Sequence, residues 1–204
     1  MKIGIDAREL QGQPTGVGRY LSALLTAWKE IPEARAHEIV LFAPRPGDSR
    51  GLAWEQIALP RMVSDAKADV LFSPGYTAPI FCPAPLVATV HDVSFVAHPE
   101  WFGRKEGLRR RVLTRLTARR ACKVLTVSEF SKGEIVAHLG VDARKVEVVY
   151  NAVNTAGREG LRRIKQSERR NLVLYVGSLF NRRHLPELIE GFGRLALQIG
   201  RAHV

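Results

Sequence analysis

Leu86-Val87-Ala88-Thr89-Val90-His91-Asp92 is a near-continuous apolar run that stops on two titratable residues. A strand buried on both faces needs such a run, because neither set of alternating side chains meets water. The same form recurs on either side. Asp69–Phe72 precedes it, and Lys123–Val127 and Val146–Val149 follow; Lys2–Asp6 and His37–Ala43 open the chain. Between them lie helix-spaced stretches: Val17–Ile31 with Tyr20, Leu21, Leu24, Leu25 and Trp28, then Gly107–Ala121 and Ser128–Leu139. Ala53–Leu59 is read as a further strand and Arg61–Lys67 as a short helix. Strands alternating with helices predict an α/β fold, a Rossmann-like doubly wound parallel sheet over residues 1–153.

Few large apolar residues and many charges make 154–170 a linker. A second strand–helix start, Leu172–Val176 and then Pro186 onward, opens a second Rossmann-like domain over 171–198 that is cut short. Ile199–Val204 resembles translated sequencing adapter and is read as a non-native tail.

The 204 residues carry 31 Lys and Arg against 20 Asp and Glu, a formal charge of +11. Of the basic residues 23 are Arg, whose planar fork suits phosphate oxygens, so an anionic partner is expected. Nine basic residues and one acid, Glu106, fall within 104–123, without an aromatic among them. Single-stranded nucleic acid is bound on aromatics interleaved with cations, so a nucleic-acid partner is not expected. The alternatives for this helix are a solvated basic face or docking to anionic lipid or to a phosphate-bearing acceptor, its stripe Leu108, Val112, Leu113 and Leu116 facing the core. Cys82 and Cys122 lack metal-ligand spacing. Met1–Asp6 reaches an acid too early for a signal peptide, and no apolar run approaches the ~20 residues that span a bilayer. The reading is a cytoplasmic protein.

Parallel sheets bind ligands beyond the carboxyl ends of their strands. Polar and glycine residues gather there: Asp6, Arg8, Gly16 and Gly18 after the first strand, and His91 and Asp92 after the run quoted above. Ser128 follows Lys123–Val127, and Asn151 follows Val146–Val149. Gly16 and Gly18 let backbone N–H groups approach a phosphate at a helix start, with Thr15 as cap. They do not complete a dinucleotide fingerprint, since Leu21 stands at the third glycine and no acid closes the second strand. His91 can hydrogen-bond a substrate hydroxyl; Asp92 either orients it or caps the next turn. Ser128 and Ser131 begin a helix, Ser131 with Glu134 fitting a capping box, and Asn151 fits a turn. Arg182 and Arg183 could clamp a diphosphate.

Read in order, Gly4-Ile5-Asp6-Ala7-Arg8 with Thr15-Gly16-Val17-Gly18-Arg19-Tyr20, Val90-His91-Asp92-Val93-Ser94-Phe95, Thr126-Val127-Ser128-Glu129-Phe130-Ser131, and Tyr175-Val176-Gly177-Ser178-Leu179 with Arg182-Arg183 resemble the family 4 glycosyltransferases of the GT-B fold. The resemblance implies two Rossmann-like domains: an N-terminal one for a glycan or lipid-linked acceptor and a C-terminal one for a nucleotide-diphosphate sugar. It implies transfer of a hexose, with mannose as one candidate, with retention and no essential metal. By that resemblance Gly16, Gly18, Arg182 and Arg183 attend the donor phosphates, and His91 with Asp92 the transferred sugar. Arg8, Tyr20, Ser128 and Asn151 then line the acceptor side or cleft. The chain departs from the family where Asn181-Arg182-Arg183-His184 replaces the common Pro-Arg-Lys-Asn. The family's paired glutamates lie beyond the end of the sequence, so the 204-residue chain is expected to be inactive alone. An NAD(P)-dependent oxidoreductase on a Rossmann domain is the alternative.

Overall fold

The computed structural model describes residues 1–12, 16–45, 48, 51–152, 173–177 and 184–201, with side chains in the last helix described as far as residue 195. The chain divides into two units, Met1–Asn154 and Thr155–Val204.

The first unit runs β1 Lys2–Asp6, a 3₁₀ turn Arg8–Leu10, α1 Gly16–Trp28, α2 Pro32–Arg35 and β2 Glu38–Phe42. A wide helical turn, Trp54–Ala58, continues into α3 Leu59–Asp65, followed by β3 Val70–Ser73, β4 Leu86–Thr89, α4 Ser94–Ala97 and the turn Pro99–Trp101. Then come α5 Arg104–Arg120, β5 Lys123–Thr126, α6 Glu129–Leu139, the turn Ala143–Lys145 and β6 Val146–Val148. The six strands form one sheet in the order β2-β1-β3-β4-β5-β6. Every neighbouring pair is parallel, with Ile5 opposite both Leu41 and Phe72, and Ala88 opposite Val124. This is the Rossmann-like α/β architecture expected from the sequence.

Both faces of the sheet are apolar, as alternation within the strands requires. Leu71, Leu86, Ala88 and Val124 point into the larger core, closed by α3, α4, α5 and α6 through Leu59, Val63, Phe95, Ala118, Ile135 and Leu139. Ile5, Phe72, Val87 and Leu125 point the other way. Among the described residues that face is covered by α1 and the turn Arg8–Leu10, through Leu21, Leu24, Trp28 and Leu10. The sheet is therefore dressed unevenly. Gly4 is required at its place: a Cβ there would stand 2.6 Å from the Phe42 ring.

Four local expectations change. Ala53–Leu59 is helical, not a strand; Trp54, Glu55 and Leu59 turn inward while Ile57 faces solvent. Helix α5 begins three residues before the expected Gly107 and buries Gly107, Thr114, Thr117 and Ala118. Its stripe Leu108, Val112 and Leu116 faces solvent rather than the core. Small side chains on the inner face let the helix lie close to the sheet, and Thr117 Oγ1 accepts a hydrogen bond from the Ala78 N–H at 3.0 Å. The capping residue of α6 is Ser128, whose Oγ accepts from the Ser131 N–H at 3.1 Å, so Ser131 and Glu134 do not form the box. In the second unit Val173–Val176, expected as part of a strand, pair with no strand among the described residues, and Val173, Leu174 and Val176 are exposed. Helix α7, Leu185–Arg201, also presents Leu188, Ile189, Phe192 and Leu195 to solvent.

Candidate functional site

The strand order reverses between β1 and β3, which directs a ligand to the crevice beyond their carboxyl ends. Asp6 closes β1 and is buried. The 3₁₀ turn after it folds Arg8 back onto the same carboxylate, Nη2 at 2.7 Å and Nε at 3.0 Å from Oδ2. The same guanidinium reaches Glu55 Oε2 at 2.5 Å and lies over the Trp54 ring, 5.2 Å from its centroid. Glu55 is held from a second side, since Thr77 Oγ1 donates to Oε2 at 2.6 Å and Gln56 Nε2 to Oε1 at 2.8 Å. One arginine thus bridges two buried carboxylates. Burial pushes the Asp6 carboxyl above its ordinary range, with Arg8 pulling it back. These groups floor a cleft of about 270 Å³ whose wall includes Val17, the loop Pro74–Thr77, and Arg109, Arg110 and Leu113 of α5. Carboxylates, a threonine hydroxyl and guanidinium groups on one apolar-backed cleft suit a polyhydroxylated ligand.

His91 follows β4. Its Nε2 lies 2.9 Å from the Pro74 carbonyl oxygen. A carbonyl only accepts, so Nε2 carries the proton, and the neutral ring presents Nδ1 as an acceptor. The ring meets Tyr20 edge to face at 5.0 Å and Tyr76 at 5.6 Å. Burial lowers its pKa from 6.5, against the upward pull of the Pro74 carbonyl and the Asp92 charge. Asp92 caps the following turn: Oδ1 accepts from Ser94 N–H at 2.9 Å and Ser94 Oγ–H at 2.7 Å. Its Oδ2 accepts from the Tyr76 hydroxyl at 2.9 Å. Tyr76 adopts φ +39°, a left-handed conformation costly for a residue with a Cβ. Its ring also packs edge-on against Phe95, so both ends of the side chain are fixed.

Gly16 and Gly18 begin α1; Thr15, their expected cap, lies outside the described residues. A Cβ at Gly16 would meet nothing within 4 Å, whereas one at Gly75 would come within 3.2 Å of Val17. The start of α1 therefore abuts the loop after β3. Tyr20, one turn further, touches His91. The glycine pair and the imidazole thus share one edge of the sheet. A second, open hollow of about 400 Å³ runs along α1 and collects Gly16, Arg19, Tyr20, Tyr150 and Asn151. Arg8 lies in the first cleft and Ser128 caps α6 at the end of β5. Arg182 and Arg183 lie outside the described residues.

Glu55 and Thr77 escaped the sequence reading as site residues. Glu55 sat in a stretch taken for a strand, and Thr77 in the irregular segment after β3. The oxidoreductase alternative needs an acid at the end of β2, where Phe42, Ala43 and Pro44 stand. Among the described residues no group of three or more His, Cys, Asp and Glu comes together in a metal-binding cluster, and no helix is long and apolar enough to cross a membrane.

The family described as Glycosyltransferase Family 4 matches residues 23–156. The matched stretch contains His91, Asp92, Ser128 and Asn151, while the motifs at 4–20 and 175–183 lie outside it. The O-antigen chain mannosyltransferase RfbU of Salmonella typhimurium is 31% identical over 102 residues, 50% of this chain and 27% of that protein. The Anabaena protein HepE, solved with UDP and glucose, superposes with a TM-score of 0.48 at 20% identity. Its UDP-glucose complex gives a TM-score of 0.49 at 20% identity. Each alignment covers 76% of this chain and 45% of that one. The alignments thus span about a quarter of the curated relative and less than half of the solved one.

Proposed function

Since this chain belongs to glycosyltransferase family 4, we propose that residues 1–153 form the acceptor-side domain of an enzyme that moves a hexose, mannose first, from a nucleotide-diphosphate sugar to a glycan or lipid-linked acceptor with retention. The name of the curated relative supports mannose. One observation carries the reading: Arg8 with its two carboxylates, the start of α1 and His91 converge on a single edge of the sheet.

The roles follow from that edge. His91 offers its bare Nδ1 to a sugar hydroxyl, while Pro74 holds the other nitrogen. The backbone N–H groups at the start of α1 face the diphosphate, whose charge grows as the bond to the sugar breaks. Arg182 and Arg183 are assigned to the same diphosphate. Glu55 and Asp6 orient acceptor hydroxyls in the cleft, and the Arg8 guanidinium, bonded to both carboxylates, holds them in place. No metal is assigned a role. The enzyme works in the cytoplasm, its helix 104–121 in peripheral contact with the inner face of the membrane. The 204-residue chain alone transfers no sugar.

The test uses the longer protein of which this chain forms part. GDP-mannose and UDP-glucose are supplied in parallel with a membrane extract, and nucleotide release and radiolabel incorporation are followed. A sugar-nucleotide-dependent signal is expected, falling ~100-fold in His91→Ala. Equal rates in His91→Ala, or transfer by the 204-residue chain itself, contradict the reading.

A further inference from the structure

The loop after β3, Pro74-Gly75-Tyr76-Thr77, touches the candidate site at each of its four residues. The Pro74 carbonyl accepts from His91 Nε2 at 2.9 Å. Gly75 abuts Val17 at the start of α1. The Tyr76 ring meets His91 at 5.6 Å, and its hydroxyl donates to Asp92 Oδ2 at 2.9 Å. Thr77 Oγ1 donates to Glu55 Oε2 at 2.6 Å.

The backbone at the middle of this loop is sharply bent. The Thr77 N–H donates to the Gly75 carbonyl, which closes a three-residue turn about Tyr76 at φ +39°. A turn of this size with positive φ at its centre is rare and strained, and a Cβ there adds to the cost. Local chemistry alone would choose Gly, Asn or Asp. The tyrosine is held from three directions instead. Its N–H donates to the Thr89 carbonyl at 2.9 Å, its hydroxyl to Asp92, and its ring packs edge-on against Phe95 at 5.9 Å. Thr89 and Asp92 stand on either side of His91 in the chain, so Tyr76 is bonded to the backbone or side chain of both flanks of the imidazole. Strain that its surroundings hold in place beside a reactive group points to a task at that group.

We propose that Tyr76 is the positioning residue of His91: the turn it centres delivers the Pro74 carbonyl to Nε2, and its ring closes one side of the imidazole, so that Nδ1 is presented in a single orientation. The inference rests on the transferase reading above and names the residue that makes its imidazole competent. Tyr76 touches no reacting atom in this scheme and acts through His91. A side chain that merely filled space in the loop would leave the imidazole as it is when replaced.

Two variants separate these roles. Tyr76→Phe keeps the ring and loses the bond to Asp92. Tyr76→Asn suits the positive φ, so the turn can form without the ring. In the 204-residue chain, three-bond couplings across the His91 Cα–Cβ bond report its rotamer, and the ring Cε1–H shift reports its titration. Wild type is expected in one rotamer, titrating below 6.5. Tyr76→Asn is expected to show rotamer-averaged couplings and a midpoint moved up toward 6.5, because the ring that keeps water off is gone while Asp92 and Tyr20 remain. Tyr76→Phe is expected to fall between the two. In the longer protein, kcat is expected to drop ~100-fold in Tyr76→Asn and ~10-fold in Tyr76→Phe, with KM for the sugar nucleotide held within about twofold. Combining Tyr76→Asn with His91→Ala is expected to be no slower than His91→Ala alone, since one residue acts through the other. Wild-type couplings and midpoint in a folded Tyr76→Asn chain overturn the proposal, as does a further large loss of rate in the double variant. Where circular dichroism shows Tyr76→Asn unfolded, Tyr76→Phe decides: wild-type couplings together with wild-type kcat overturn the proposal. Absence of sugar transfer by the wild-type longer protein counts against the transferase reading alone, because the rotamer and titration of His91 are read without any transfer.

Discussion

His91 is defined by what holds each nitrogen. The Pro74 carbonyl fixes the proton on Nε2, and burial among Tyr20 and Tyr76 disfavours the charged ring. Its folded pKa lies below the unfolded value of 6.5, so between the two values the unfolded chain binds the extra proton. Stability from this group is therefore fully present above pH 6.5 and drains away as pH falls through the folded value. His91→Gln keeps a donor for Pro74 without a titrating ring. Urea unfolding at a series of pH values is expected to show a flatter acid-side loss in that variant than in wild type. The position of His91 is legible in the sequence because it ends an apolar run. Its surroundings are not. Pro74 and Tyr76 reach it from the loop after β3, where Tyr76 combines a positive φ with contacts to Asp92 and Phe95.

At the scale of elements, regular pieces read well and their faces less so. Helix α6 starts on Ser128, extended in backbone with its hydroxyl on the Ser131 N–H, and ends on Gly140 at φ +64°. Ser128→Ala is expected to cost about 1 kcal/mol of stability, read as a lower urea midpoint. A fall in transferase rate with no change in midpoint would instead give that serine a ligand. Helix α5 shows how a face is misread. Apolar stripes normally mark the inner side, and Leu108, Val112 and Leu116 make one. Here the inner side is taken by Gly107, Thr114, Thr117 and Ala118, whose small size permits close packing that a hydrophobicity count cannot detect. The stretch Ala53–Leu59 misleads for a related reason. A short apolar run fits strand or helix, and its helical turn aims Glu55 at Arg8, a partner 47 residues away.

Across the whole molecule, the alternation of apolar runs with helices was enough for the parallel sheet; the compact unit that holds it ends at Asn154. Val173–Val176 has the composition of a strand, and among the described residues it joins no ladder. Strand order lies equally beyond local pattern: β1 sits between β2 and β3 because chain that is distant in sequence pairs on both its edges.

The uneven dressing of the sheet also governs which substitutions the protein can absorb. Ala88 is sealed beneath the helices of the crowded side, whereas its neighbour Val87 lies on the side covered by α1. Enlarging both to leucine should give opposite results in thermal melts: about 3 kcal/mol lost at Ala88, where nothing can give way, and about 1 kcal/mol or less at Val87. Comparable losses at both positions would show the two sides to be equally close-packed. Over many generations the side bearing α1 would drift in residue size, and the crowded side would stay fixed.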